Sequence, residues 1–183
     1  MTWRTQIQNH YRKVWGIEPE PCAFSAGPIH ELPSDFSVVK FPPHATRQIW
    51  TYATFCMSQP GDQRPIELHM FSPREAHEVV ELLVVTAHYH RTGAPLGLGH
   101  TVNFGRSWLA ASQCKYGLVS LPYLDGPSLE DLKIDSEALK FYWLIPVTQP
   151  EVEFNKRQGL DALEQKFASV GLDYINPNRS SVV

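Results

Sequence analysis

Residues 66–88 read IELHMFSPREAHEVVELLVVTAH, and this stretch decides the fold class. The strand-like run 66–71, with apolar residues at 66, 68, 70 and 71, predicts a β-strand. Residues 72–75 (Ser-Pro-Arg-Glu) form a capping-box pattern with proline in the first turn, which predicts that a helix begins here. Gly93 and Pro95 predict its end. One helix face is apolar, through Ala76, Val79, Val80, Leu83 and Ala87. A strand followed at once by a long amphipathic helix indicates an α/β chain.

Further strands are predicted on both sides of this stretch. Strand-like runs cover 36–41, 47–57, 100–104, 116–121 and 139–147. Pro60-Gly61-Asp62 makes a short connection between the second of these runs and 66–71, and short connections favour antiparallel pairing. The run 139–147 is apolar on both faces, as expected of a strand between two layers. We therefore predict an α/β (α+β) fold with a central, largely antiparallel or mixed sheet sandwiched by helices.

Two further helical regions are predicted from their end signals. Residues 3–15 carry apolar side chains at helical spacing, with Thr2 as the N-cap and Gly16 just past the last turn. Residues 148–151 repeat the capping-box pattern, and Gly159 is expected to kink the helical region that follows.

Length and composition indicate one domain. The chain has 183 residues, 43% of them hydrophobic and 19% charged, which is enough apolar material for one full core. We assign residues 1–183 to a single domain. Within it, residues 1–34 form the N-terminal helix and a proline-rich connector, and residues 35–183 form the core.

Charge argues against several classes of partner. The net charge of −3 and the pI of about 6.2 give no long-range attraction for nucleic acid or an anionic membrane. No apolar stretch approaches the roughly 20 residues that cross a bilayer, and the first residues lack the apolar core of a signal peptide. Three widely spaced cysteines favour reduced thiols. These observations predict a cytoplasmic protein.

The sequence carries no strong catalytic or metal-binding signature. His88 and His90 are two residues apart on a predicted helix, so their side chains point about 200° apart and cannot share one ion. Gly105-Arg106-Ser107 lacks the second glycine of a nucleophile elbow. Gly97-Leu98-Gly99 lacks the remaining residues of a phosphate-binding loop. We predict no catalytic residue, no metal and no cofactor.

A loop-rich region supplies candidate protein-binding residues. Arg106, Trp108, Tyr123 and Asp125 are of the types that dominate protein interfaces or support them. The alternative is that Trp108 and Tyr123 fill the core. For Asp125, which precedes Gly126-Pro127, a solvated turn is the expected setting.

A second candidate site would bind a small molecule. His88, His100 and Asn103 could line a polar cleft and serve an enzyme or a ligand sensor. This alternative requires a concave pocket at these residues.

The order of the segments resembles the bacterial Suppressor-of-fused-like (SUFU) family. The resemblance is carried by 66–71, 99–105, 118–123, 141–148, 159–164 and 178–183, and it extends over residues 35–183. It implies an α/β sandwich like the N-terminal lobe of SUFU. In animal relatives this lobe is half of a two-lobed clamp that sequesters transcription factors, whereas this sequence holds one lobe.

The resemblance also implies a role. Some bacterial members of the family are thought to be immunity proteins that neutralise toxins. We therefore expect a non-enzymatic domain that sequesters or neutralises a protein partner, a toxin being one candidate. We expect it to be a monomer or a weak homodimer. The small-molecule site at His88 and His100 remains the alternative.

Overall fold

An eight-stranded sheet runs through the centre of the computed structural model, which describes residues 2–183. The strands are β1 (Glu20–Pro21), β2 (Ser37–Phe41), β3 (Trp50–Phe55), β4 (Ile66–Ser72), β5 (Thr101–Asn103), β6 (Tyr116–Ser120), β7 (Asp131–Ile134) and β8 (Glu137–Val147). The helices are α1 (Trp3–Trp15), α2 (His77–Thr92), α3 (Pro127–Glu130), α4 (Gln149–Gln158) and α5 (Leu160–Val170), and a 3₁₀ turn covers Gly27–Glu31.

The strand order confirms the predicted mixed, largely antiparallel sheet. The order is β1-β2-β3-β4-β8-β6-β5, and β7 pairs with the first part of β8. Only β4 and β8 run parallel, with His69 opposite Trp143. Every other pairing is antiparallel. This pairing places β4 and β8 at the centre of the sheet, as the run 139–147, apolar on both faces, predicts for β8.

Helices cover both faces of the sheet, as predicted. Because successive side chains of a strand point to opposite faces, Leu144 packs with α2 while its neighbour Trp143 packs with α5. On the second face, α1 covers β2, β3 and the start of β8, whereas α4 and α5 cover β6 and the end of β8. The second face therefore has two separate helical layers with a seam between them.

The predicted start of α2 is wrong by four residues. Ser72 does not cap a helix: its Oγ donates to the carbonyl of Arg74 (2.7 Å), which makes a turn. The helix begins at His77, with Ala76 as N-cap. The Ala76 N–H donates to the hydroxyl of Tyr52 on β3 (2.8 Å), so a tertiary contact replaces the local cap. The helix ends before Gly93, as predicted.

The other two end signals are confirmed. Thr2 Oγ1 accepts the Thr5 N–H (3.2 Å), and Gly16 adopts the left-handed conformation with φ of 70°. The capping box of Thr148 and Glu151 is formed. Gly159 does more than kink the helical region, because it separates α4 from α5.

Two strands were not predicted, and the predicted strand 47–57 is shortened more than any other. β1 and β7 have two and four residues, too few to produce a clear alternating pattern. The short helix α3 ends at Glu130, and β7 begins directly at Asp131. The run 47–57 forms a strand only over β3, since Cys56 has a φ of 59° and ends it.

Gly117 in β6 has no side chain, and the side chains of Leu144 and Phe104 therefore pack directly against its backbone. A Cβ atom there would lie 2.6 Å from Leu144 Cδ1 and 2.7 Å from Phe104 Cζ. We expect Gly117→Ala to lower the free energy of unfolding by about 1–3 kcal/mol, because the core must shift to admit the methyl group. Urea denaturation measures this. Gly97→Ala is the control, since its Cβ would meet no atom within 4 Å. An equal effect of both substitutions would contradict this explanation.

Candidate protein-binding site

An open cleft lies on the second face of the sheet, between α5 and the loop that follows β6. Its volume is about 500 Å³. Trp143 and Ile145 of β8 form its floor with Phe167 of α5. The remaining lining residues are Ser120, Tyr123, Leu124, Asp161, Glu164, Gln165, Ala168 and Tyr174. We call this feature the α5 cleft.

The rim of the α5 cleft exposes two large apolar side chains. Tyr123 is 55% exposed and Leu124 is 54% exposed. Glu164 of α5 holds this rim in place, because its Oε2 accepts the Tyr123 hydroxyl (2.7 Å) and its Oε1 accepts the Ser120 hydroxyl (2.6 Å). Desolvation and the bond to Glu164 raise the pKa of Tyr123, so the phenol stays protonated and remains a donor. The rim is therefore an exposed apolar surface in a fixed conformation.

The floor of the α5 cleft, with Tyr174 beside it, is largely aromatic. Trp143 packs against Phe71 with ring centroids 5.1 Å apart, and against Tyr174 with centroids 4.7 Å apart. Tyr174 also meets Phe167 edge-on at 6.0 Å. Trp143 and Phe167 are each 1% exposed, so the half-buried Tyr174 presents the accessible aromatic surface here, held rigidly by the two rings beneath it.

The charged groups of the α5 cleft are acidic. Asp161 and Glu164 line it, and no lysine or arginine does so among the residues that the structure describes. Glu130 lies near enough to raise the pKa of Tyr123 further. The cleft therefore favours an apolar group that has a cation beside it.

Asp125, predicted to lie in a solvated turn, is instead buried behind the α5 cleft. Only 1% of its side chain is exposed, and it forms an ion pair with Arg47. Trp15 Nε1 of α1 donates to Asp125 Oδ1 (2.8 Å). Arg47 lies over the rings of Trp15 and Phe71, at the seam between the two helical layers. This ion pair fastens the loop of Tyr123 and Leu124 to the core.

His69 lies beside the ion pair of Arg47 and Asp125 but makes no hydrogen bond to it. Its Nε2 lies 3.8 Å from Asp125 Oδ2, and neither ring nitrogen has a hydrogen-bond partner within residues 2–183. Burial, with the Arg47 charge in second place, lowers the pKa of His69 to about 3, so the ring is neutral. Burial raises the pKa of Asp125, and Arg47 offsets part of that effect. Because a substrate cannot reach either side chain, the pair is not a usable acid and base.

Arg106 and Trp108 lie on the opposite face from Tyr123. Trp108 is 1% exposed and packs with α2, so the alternative that it fills the core is correct. Arg106 Nη1 pairs with Glu81 Oε2 of α2 (2.9 Å). The four predicted interface residues therefore do not form one surface. Contact of Arg106 or Tyr123 with a partner stays a prediction.

His88, His100 and Asn103 have separate local roles. His88 Nε2 lies 2.9 Å from Glu31 Oε2, and Asn103 Oδ1 accepts the Gly105 N–H (2.8 Å). The backbone of His100 bonds to Val119 at the start of the β5–β6 pairing. The α5 cleft contains none of these three residues. A small-molecule site at these residues also stays a prediction.

The described part of the chain offers no ready metal site or membrane span. Within residues 2–183, no three His, Cys, Asp or Glu side chains are grouped so that they could hold an ion. No helix in that range has the length and apolar character needed to cross a bilayer.

Most residues of the α5 cleft were not predicted to belong to a site. Trp143 lies in the run 139–147, which was predicted to be a strand between two layers and is one, but its place in the cleft was not predicted. The pattern that marks the cleft is the exposed pair Tyr123-Leu124 after a buried strand, and Tyr123 alone was identified. The partners of Tyr123 come from α5 and from the segment around Tyr174 and could not be read from local sequence.

Comparison with known proteins identifies the family. A model of the Suppressor of fused protein (SUFU) family matches residues 33–180. A crystal structure of a SUFU homolog from Neisseria gonorrhoeae FA 1090 is 32% identical, over 99% of this chain and 97% of that one, with a TM-score of 0.84. No curated protein matches the chain in sequence.

Two less similar structures share the fold. The Sufu–Fu complex crystal structure is 17% identical, over 98% of this chain and 92% of that one, with a TM-score of 0.71. Drosophila Suppressor of Fused is 18% identical, with a TM-score of 0.69, over 96% of this chain but 50% of the Drosophila chain. The predicted likeness to one SUFU lobe is confirmed. By its family match and its identity to the Neisseria homolog, this chain belongs to the Suppressor of fused family.

Proposed function

We propose that this chain is a non-enzymatic domain that holds a protein partner in the α5 cleft. The observation that carries the proposal is the exposed pair Tyr123 and Leu124, held rigidly beside an aromatic cavity of about 500 Å³. Tyrosine is among the residues most enriched at interface hot spots, and the exposed Leu124 extends the apolar surface beside Tyr123. One distant relative, solved as the Sufu–Fu complex, also supports binding of a protein.

The chemistry of the cleft suggests what the partner presents. An apolar side chain would fill the space over Trp143 and Phe167. A lysine or arginine beside it would meet Asp161 and Glu164, the two acids of the cleft. The partner segment is therefore apolar and basic.

The biological role we propose is that of a bacterial immunity protein. In this role the chain acts in the cytoplasm, as a monomer or weak homodimer, and neutralises a toxin by binding it in equal amounts. Arg106 on the opposite face is a further candidate contact. The proposal requires no cofactor and no catalytic residue.

The test uses the protein encoded by the neighbouring gene, which the immunity role predicts to be a toxin. We expect co-expression of this chain to restore growth, and the purified proteins to bind. Tyr123→Ala/Leu124→Ala should weaken the Kd by roughly 30-fold or more, because hot-spot truncations cost about 2 kcal/mol or more. Calorimetry and colony counts measure the two effects.

The control is Tyr89→Ala/Leu98→Ala. These side chains are exposed to a similar degree, 41% and 44%, and lie outside the α5 cleft. If both double variants bind equally well, the α5 cleft is not part of the interface. Failure of the unaltered chain to bind the toxin or protect cells would remove the immunity role.

A further inference from the structure

A second cleft lies between the turn that joins β3 to β4 and the end of α2. Its volume is about 510 Å³, within the range of small-molecule sites. Six residues line it: Asp62, Gln63, Arg64, His90, Arg91 and Pro95. None of them belongs to the α5 cleft or to either predicted site, so the feature is independent of the proposed protein-binding function.

Two arginines give this cleft its charge. Arg64 is exposed and makes no ion pair with any residue from 2 to 183. Arg91 Nη1 donates to the carbonyl of Met57 (3.1 Å) and to Asp62 Oδ2 (2.8 Å). An arginine offers five N–H donors, so both side chains retain donors for a ligand.

His90 adds a neutral donor. Its side chain is buried, and its Nδ1 lies 2.9 Å from the backbone nitrogen of Leu96, which donates to it. Because Nδ1 is the acceptor, the proton of the neutral ring must sit on Nε2. Burial lowers the pKa of His90, which keeps the ring in this neutral form.

The negative charge of Asp62 in the wall is balanced by its ion pair with Arg91. Asp62 Oδ2 accepts the N–H of Gln59 (2.8 Å) as well as the Arg91 guanidinium. Asp62 therefore orients Arg91 and holds the turn, and it leaves Arg64 as the unbalanced charge. Asp62 Oδ1 and the Gln63 amide oxygen remain as acceptors in the wall, whereas Arg64, the other N–H groups of Arg91 and His90 Nε2 are donors.

We propose that this cleft binds a small molecule through an oxyanion, either phosphate or carboxylate, with Arg64 as the charge-bearing contact and His90 Nε2 as a neutral donor. A guanidinium fork matches both anions in geometry and charge. A site of this kind would let the domain respond to a small anionic ligand.

The experiment is calorimetric titration of the full chain with inorganic phosphate and, separately, with succinate, in chloride buffer at fixed ionic strength. We expect saturable binding at one site for at least one of them, and the tighter one identifies the ligand class. Arg64→Ala should weaken the Kd by about tenfold or more, because it removes the charged hydrogen bonds from the guanidinium to the anion.

The matched control is Arg157→Ala, which removes an exposed arginine of α4 that also makes no ion pair within the described residues. It should bind as the unaltered chain does. Circular dichroism checks that each variant is folded. The proposal is overturned if neither anion shows saturable binding, or if Arg64→Ala and Arg157→Ala bind the anion equally well. Because the toxin assay does not involve this cleft, either proposal can fail without the other.

Discussion

Arg179→Ala is expected to lower the free energy of unfolding by about 3–5 kcal/mol, which is typical for removing one partner of a buried ion pair. Arg179 forms two parallel bonds to Glu151 of α4, at 2.7 and 2.8 Å, and a third to the carbonyl of Pro146 (2.8 Å). Glu151 is fully buried. Without Arg179 its carboxylate would remain charged in the core, or would have to take up a proton.

Urea denaturation followed by circular dichroism measures this loss. Arg157→Ala is again the control, and we expect it to change the free energy of unfolding by less than about 0.5 kcal/mol, as for most surface sites. The double variant Glu151→Gln/Arg179→Met should recover part of the loss, because it leaves no unpaired charge. A loss below about 1 kcal/mol for Arg179→Ala would show that the last residues are not held by this ion pair.

The stability of the chain should depend on the proton of Glu67, the second large effect that we predict. Glu67 lies in the centre of β4 and is fully buried. Its Oε2 accepts the Thr54 hydroxyl (2.5 Å), and its Oε1 lies 3.5 Å from the Ser58 backbone nitrogen. Burial raises the pKa of Glu67 to about 8, although these hydrogen bonds oppose the shift.

The sign of the pH dependence follows from this pKa. Between about pH 4.5 and pH 8 the folded state holds the proton of Glu67 and the unfolded state has lost it. The free energy of unfolding therefore falls as the pH rises through this window, by up to about 1.4 kcal/mol per pH unit, and levels off above it. Below about pH 4.5 the contribution of Glu67 is fully present.

Glu67→Gln removes this titration. We expect the stability of the variant relative to the unaltered chain to rise by a few kcal/mol between pH 5 and pH 8, and to be constant below about pH 4.5. Urea denaturation over a pH series measures the difference. His69 and Asp125 titrate in both proteins, so their effects cancel. A difference that does not change with pH would mean that Glu67 ionises normally in the folded protein.

Capping patterns in the sequence predicted the helix ends correctly where the hydrogen-bonding partners of the cap lie close to it in the chain. The caps of α1 and α4 use side chains and backbone groups within four residues of each other. The capping signal at Ser72 was equally clear but wrong. The Tyr52 hydroxyl, 24 residues away from Ala76, supplies the bond that defines the start of α2.

The candidate site was also predictable only in part. Its residue types were recognisable in the sequence, and Tyr123 was identified as a contact residue. Asp125 was misplaced because Arg47 and Trp15, the groups that make its burial possible, lie 78 and 110 residues away. The floor of the α5 cleft depends on the pairing of β6 with β8 and on the packing of α5 across them.

The amino-acid sequence by itself determined the family, the mixed sheet between helices and the positions of most elements. The reason is that the spacing of apolar residues along a strand or helix reflects which of its faces is buried. Only the tertiary structure decided which side chains share a face, which charges are buried and where a cleft opens. Those properties depend on distances between segments far apart in the chain, and no local pattern encodes them.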